Sequence, residues 1–279
     1  MAFKQLIAAV IAATALNFSA LAEDPIKIGV FLPLTGQNAF GGQLELEGVE
    51  LANKIKPEVL GHKVELVVVD NKSDKVEAAN AVMRLTASDK VNGIIGTYGS
   101  SLALAGGEVS EPAKTPAIAT SATNPLVTQG KKYYFRACFI DPYQGAGAAT
   151  YAFNTLHAKK AAILKDVSND YAIGLANFFD TSFKKLGGEV VANLNYNSGD
   201  QDFSAALTQI IAEQPDVLFI PAYFAEGAII LKQLQSVEVL PKVFFTQLSL
   251  MTQICRICLK QQLNSPRIGK QPTLTRNRT

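Results

Sequence analysis

From Pro25 to Phe245 the chain repeats one pattern: a short run rich in β-branched residues, a turn or cap signal, then a longer stretch with apolar residues at helical spacing. Few folds accept that rhythm, because parallel strands need a crossover long enough to hold a helix, and the helices then cover both faces of the sheet. The strand runs are Ile26–Phe31, Lys63–Asp70, Gly93–Gly96, Ala117–Ala119, Ala161–Leu164, Glu189–Asn195, Val217–Ile220 and Lys242–Phe245. The helical stretches are Gly41–Lys56, Lys75–Asp89, Leu102–Ser110, Gln144–Leu156, Tyr171–Leu186, Phe203–Glu213 and Glu226–Gln235. The pattern predicts an α/β fold of parallel sheet with helices on both faces.

Local chemistry agrees. Ser73-Asp74 stands where a helix from Lys75 needs a cap, and Asp200-Gln201-Asp202 does so before Phe203. Leu175, Phe178 or Phe179, and Phe183 recur at helical spacing, while Lys184 and Lys185 precede the Gly187-Gly188 stop. The strand–helix units form two sets, Ile26 to Ala119 and Ala161 to Phe245. Lys131–Pro142 joins them, with Tyr133–Ala137 extended and Asp141-Pro142 as the break into the second set. Two Rossmann-like lobes with a crossover follow, and ligands of such sheets sit at the carboxyl ends of the strands.

The ends of the chain differ from this body. Residues 1–22 carry an early Lys4, an apolar run from Leu6 to Leu16 and Ala20-Leu21-Ala22. That is the pattern of a secretory signal peptide cleaved after Ala22, and the run is too short for a membrane span. The expected partition is a signal peptide at 1–22, a first ligand-binding lobe at 23–140, a second lobe at 141–245 and an atypical tail at 246–279. That tail holds six cations and no acid, so the formal net charge of +2 does not describe the body and gives no reason to expect nucleic acid. Of the 3 cysteines only Cys138 lies in the body, so no disulfide framework holds this fold.

Two loops could carry chemistry. Gly96-Thr97-Tyr98-Gly99-Ser100-Ser101 leaves a strand and feeds a helix, and its free amides and hydroxyls suit a carboxylate. The plainer reading is that Ser100 or Ser101 caps the helix. Ala119-Thr120-Ser121-Ala122-Thr123-Asn124-Pro125 offers hydroxyls, carbonyls and amides at a strand end, enough for both charged ends of an amino acid, or for an ordinary polar turn. Phe40, Tyr171 and Tyr223 follow strand-end loops and could wall an apolar side chain, or simply pack.

Enzyme signatures are missing from the pattern. There is neither a phosphate-binding Walker motif nor a nucleophile elbow, and the 2 histidines, His62 and His157, have no triad-like context. Gly93-Ile94-Ile95-Gly96 lacks the third glycine of a dinucleotide loop, and Cys255-Arg256-Ile257-Cys258 lacks the second pair or histidine that a zinc site needs. No catalytic residue, cofactor or metal is expected.

The segments IKIGVFLPLTGQNAFGGQLELEGVELA, VELVVVDNKSDKVEAANAVMRL, VNGIIGTYGSS, PAIATSATNPLVT, YYFRACFIDPYQGAGAATYAF, DYAIGLANFF, GDQDFSAALTQI and PDVLFIPAYFAEGAIILKQLQ resemble, in order, the periplasmic leucine/isoleucine/valine-binding proteins, the type I solute receptors of branched-chain amino acid ABC transporters. The resemblance implies an exported receptor that takes leucine, isoleucine, valine or a similar small amino acid and hands it to membrane permease subunits. It further implies that Ser100 and the Thr123 amide bind the ligand carboxylate, that Thr123 and the Ser121 carbonyl receive the ammonium, and that Ser101 and Ala122 belong to the same two loops. Tyr171 would reach the carboxylate from the second lobe, and Phe40 and Tyr223 would shape the side-chain pocket. The cysteine pair that some members place near Ser73 and Gly99 is missing.

The resemblance stops at Thr246, where family members continue with a glycine-rich loop bearing a carboxylate for the ammonium and then two more crossovers, so the resemblance implies that the second lobe at 141–245 is partial and incomplete. Here a poorly periodic sequence without a carboxylate follows, the pattern expected of a frameshift near Thr246 and of a binding-impaired product. Translating the downstream DNA in the other two frames tests this, and finding no family-like continuation there would sink it.

Overall fold

The computed structural model describes residues 24–235 and the backbone of residues 242–245. The signal-peptide and tail readings fall outside these residues. By internal packing the chain divides into two units: residues up to 122 together with 126–138, and residues 123–125 together with those from 139 onward.

The first unit is built on β1 (Ile26–Leu32), β2 (Glu58–Val59), β3 (His62–Asp70), β4 (Gly93–Ile95), β5 (Ala117–Ala119) and β6 (Tyr134–Arg136), with helices α1 (Ala39–Ile55), α2 (Lys75–Met83) and α3 (Ser100–Ser110). Its strand order is β2-β3-β1-β4-β5-β6, parallel throughout except for the antiparallel β2–β3 hairpin. Strand β1 pairs β3 on one side and β4 on the other, so the connections reverse direction there. Val30, Phe31, Leu32 and Ile94 are buried, as expected of strands covered on both faces. Phe31 packs with Val82 and Leu85 of the α2 crossover and with Leu102 and Ala103 of α3 to form the core.

The second unit contains α4 (Asp141–Thr150), β7 (Lys160–Asp166), α5 (Asp170–Lys185), β8 (Glu189–Tyr196), α6 (Ser204–Ala212), β9 (Val217–Ile220), α7 (Phe224–Leu234) and β10 (Lys242–Phe245). These strands form a four-stranded parallel sheet in the order β10-β9-β7-β8, with its reversal between β7 and β9. Phe179, not Phe178, is the core residue of α5; it stacks on Phe219 with centroids 4.0 Å apart and on Phe183 at 5.4 Å.

The strands agree with the sequence pattern to within two residues at each end, and three differences have local causes. Lys75–Asp89 and Gln144–Leu156 each begin as an α-helix and finish in a π turn, Arg84–Ser88 and Tyr151–Thr155. Asp141-Pro142, two residues past the point where the chain enters the second unit, also starts α4, since a proline in the first turn lacks only an amide that the helix leaves unpaired there. Tyr134–Arg136, expected only to be extended, is the edge strand of the first sheet.

Candidate functional site

Every loop singled out by the sequence leaves the carboxyl end of a strand. In the first unit the reversal lies between β1 and β4, whose loops carry Phe40 and Ser100; in the second it lies between β7 and β9, whose loops carry Tyr171 and Tyr223. Such reversals open a crevice, and open α/β sheets bind ligands there.

The loop after β1 is tied down by Asp70 at the end of β3. Asp70 Oδ1 accepts from the Leu34 amide at 2.8 Å and the Lys72 amide at 2.8 Å, and Oδ2 accepts from the Thr35 hydroxyl at 2.6 Å. Burial pushes this carboxyl up, but the Thr35 hydroxyl and the amides of Lys72, Leu34 and Thr35 outweigh it and hold it below the usual value. Ser73, read as part of a cap, instead serves this loop: its hydroxyl donates to the Thr35 carbonyl at 2.7 Å and accepts from the Asn38 amide at 3.0 Å. Phe40, at the start of α1, is 45% exposed.

After β4 the chain passes through Gly96 and Gly99, both at positive φ, into α3. A Cβ on Gly96 would stand 2.2 Å from the Phe31 carbonyl oxygen, so only glycine fits there. The cap position belongs to Gly99, which offers no side chain, so neither Ser100 nor Ser101 is the cap. Ser100 occupies the first turn and is 1% exposed, while Ser101 is half-buried. The Tyr134 hydroxyl donates to the Gly96 carbonyl at 3.0 Å, which anchors this loop to β6.

The loop after β5 is held from two sides. Arg136 of β6 donates through Nη1 to the Ala122 carbonyl at 3.0 Å and through Nη2 to the Thr128 hydroxyl at 2.9 Å. From α1, Glu45 accepts from the Thr120 hydroxyl at 2.6 Å and from the Ser121 hydroxyl. Burial raises the Glu45 carboxyl above its usual value, and the hydrogen bonds from Ser121 and Thr120 only partly offset this. Sequence reasoning missed Glu45 and Arg136. A signal existed for Glu45: it lies one helical turn after Gly41, on the buried side of α1, where a carboxylate is out of place.

Thr123, in the second unit, is 7% exposed, and its Oγ1 is a buried hydroxyl without a hydrogen-bond partner among the described residues. Its carbonyl accepts from the Asp141 amide at 3.0 Å, and the neighbouring Asn124 Nδ2 donates to the Asp170 carbonyl at 2.9 Å. Asn169 caps α5 by accepting from the Tyr171 amide at 3.0 Å, and Gln144 Nε2 reaches the Tyr171 hydroxyl at 3.4 Å. The Tyr171 and Tyr223 rings stack with centroids 5.3 Å apart and 8° between planes. The fold thus brings together Ser121 and Ala122 on one loop of the first unit, and Tyr171 with Tyr223 in the second.

Among the described residues no group of three or more His, Cys, Asp or Glu could hold a metal ion, and no helix is long and apolar enough to cross a membrane.

An amino acid binding protein of Pseudomonas aeruginosa is 32% identical over 237 residues, which cover 84% of this chain and 63% of that one. Among solved structures, a leucine binding protein, LivK, of Thermotoga maritima superposes with a TM-score of 0.77 at 43% identity, covering 79% of this chain and 63% of that chain. The substrate-binding protein LivJ of Streptococcus pneumoniae, solved with isoleucine, gives a TM-score of 0.75 at 32% identity and covers 80% and 64%. The chain therefore spans just under two thirds of the length of these relatives. The family model described as periplasmic binding protein matches residues 25–254, running past the change of pattern at Thr246. Since that match takes in well over half of the chain, the protein belongs to the periplasmic binding protein family.

Proposed function

We propose that this chain is an exported, non-enzymatic receptor that captures a branched-chain amino acid for an ABC importer. The observation that carries the reading is the buried Thr123 hydroxyl, which no described residue satisfies. A buried polar group left unpaired costs roughly 1–3 kcal/mol, and a ligand bond would recover that cost. Ser100 and the Thr123 amide hold the carboxylate, the Ser121 carbonyl and Thr123 hydroxyl take the ammonium, and Ser101 and Ala122 complete the loops. Tyr171, Tyr223 and Phe40 supply aromatic surface to an aliphatic side chain. The relatives that bind leucine and isoleucine support this ligand class. The reading includes a signal peptide cleaved after Ala22, periplasmic delivery and docking on the permease subunits.

Titration calorimetry of the purified chain with leucine, isoleucine and valine tests the proposal. Saturable heat at micromolar ligand is expected; no heat with any of the three overturns it. Sequencing the N-terminus of the exported protein tests the cleavage site, and a start other than Glu23 removes that part.

A further inference from the structure

Glu45 is the unexplained group of the first unit. Its carboxylate, on the buried side of α1, accepts from the Thr120 and Ser121 hydroxyls, and among the described residues no cation pairs with it. Two donors of β6 are directed to other groups: Arg136 donates to Ala122 and Thr128, and the Tyr134 hydroxyl donates to Gly96. A half-buried carboxylate without a counter-charge is unfavourable, and a glutamine could accept from one of these hydroxyls and donate to the other without that penalty. Holding the loop in place therefore does not account for the charge. A cation arriving at the loop does.

We propose that Glu45 is the counter-charge for the ligand's ammonium group at the Ser121 loop, and that it selects amino acids over simple carboxylates of the same skeleton. The inference rests on the receptor reading above. Glu45 lies one hydrogen bond from the Ser121 side chain, the residue whose carbonyl takes the ammonium in that reading. An opposite charge within about 4–6 Å favours an ionised partner by roughly tenfold or more. Docking the ammonium neutralises the carboxylate, so the cost carried by the empty protein is recovered on binding.

The test compares the wild-type chain with E45Q, using leucine and its deaminated analogue 4-methylpentanoate in calorimetry and melting of the ligand-free proteins. The charge assignment expects E45Q to lose roughly tenfold or more in leucine affinity, to keep or improve its affinity for 4-methylpentanoate, and to melt no lower than wild type. Glu45→Asp, which retains the charge, should bind leucine more tightly than E45Q. Unchanged leucine affinity in E45Q, an equal loss for both ligands, or a lower melting temperature or failure to fold overturns the assignment while leaving the receptor reading intact. A wild-type chain that binds neither ligand overturns the receptor reading itself, and the Glu45 assignment falls with it.

Discussion

At Thr123 the proposed function sets binding against stability. Its hydroxyl is buried and unpaired among the described residues, so Thr123→Val removes a polar group they do not use while keeping the β-branched shape. Denaturant titration should show stability unchanged or raised by up to about 1 kcal/mol, while calorimetry shows leucine binding weakened at least tenfold; a clear loss of stability would mean the hydroxyl already has a partner. Gly96 behaves differently, because its substitution hurts both. With φ at +132° and the Phe31 carbonyl oxygen 2.2 Å from a built Cβ, Gly96→Ala should cost roughly 2 kcal/mol or more and displace the Ser100 loop. A variant that melts and binds like wild type would refute this. Much of the candidate site could be proposed residue by residue because Ser100, Ser121 and Thr123 each follow a strand, where backbone groups run out of sheet partners. Glu45 was hidden because it comes from a helix interior 75 and 76 residues away in sequence from the hydroxyls it accepts. Arg136 was hidden because nothing in the run Tyr133–Ala137 tells that its side chain turns back to the Ala122 carbonyl.

Among the elements, those with a local cause could be read in the sequence. Asp74 caps α2 as its position promised, accepting from the amides of Val76 at 2.8 Å and Glu77 at 2.9 Å. Asp74→Ala should therefore lose about 1 kcal/mol, measured by urea unfolding. Asp202 likewise accepts from the Ser204 amide at 2.9 Å just ahead of α6. The β2–β3 hairpin was not legible: its turn places Leu60 at φ 54° and Gly61 at φ 87°, and leucine rarely signals a left-handed turn. The π turns that close two of the crossovers were equally invisible, since each is only 5 residues long, too short for its changed period to stand out from the helical pattern. Asp70 shows an element boundary acting on the site. Asp70→Ala would release two strand-end loops at once, with an expected cost of about 2 kcal/mol and weakened binding if Phe40 walls the side chain. Stability equal to wild type would show that water replaces all of its bonds.

For the whole molecule, the titrating carboxylates fall into two classes, and the classes act in different pH ranges. Glu45 and the buried Glu226 at the start of α7 are both raised above 4.5, chiefly by burial; in Glu226 the proximity of Asp166 adds to the rise, while the amides of Glu226 and Gly199 oppose it. Asp70, Glu111 and Asp202 are held low by hydrogen bonds. A group raised in the folded state binds its proton more readily there than in the unfolded chain, so folding gains stability as pH falls through the interval between its folded value and 4.5. A depressed group does the reverse, but only below its ordinary value, where the folded protein resists protonation that the unfolded chain accepts. The depressed class also contributes less, because Glu111 and Asp202 stand in solvent. The ligand-free protein should accordingly become more stable as pH falls from neutrality toward 4.5, and lose stability only in more acid solution. Melting curves across that range check this, and the double variant E45Q/E226Q should show a flattened acid-side rise. Saturating leucine should remove the Glu45 share of the rise, because the docked ammonium keeps that carboxylate ionised, and leave the Glu226 share in place. A wild-type stability that falls steadily from neutral pH, or a double variant with the wild-type slope, would show that these two buried carboxylates do not set the pH response of the fold.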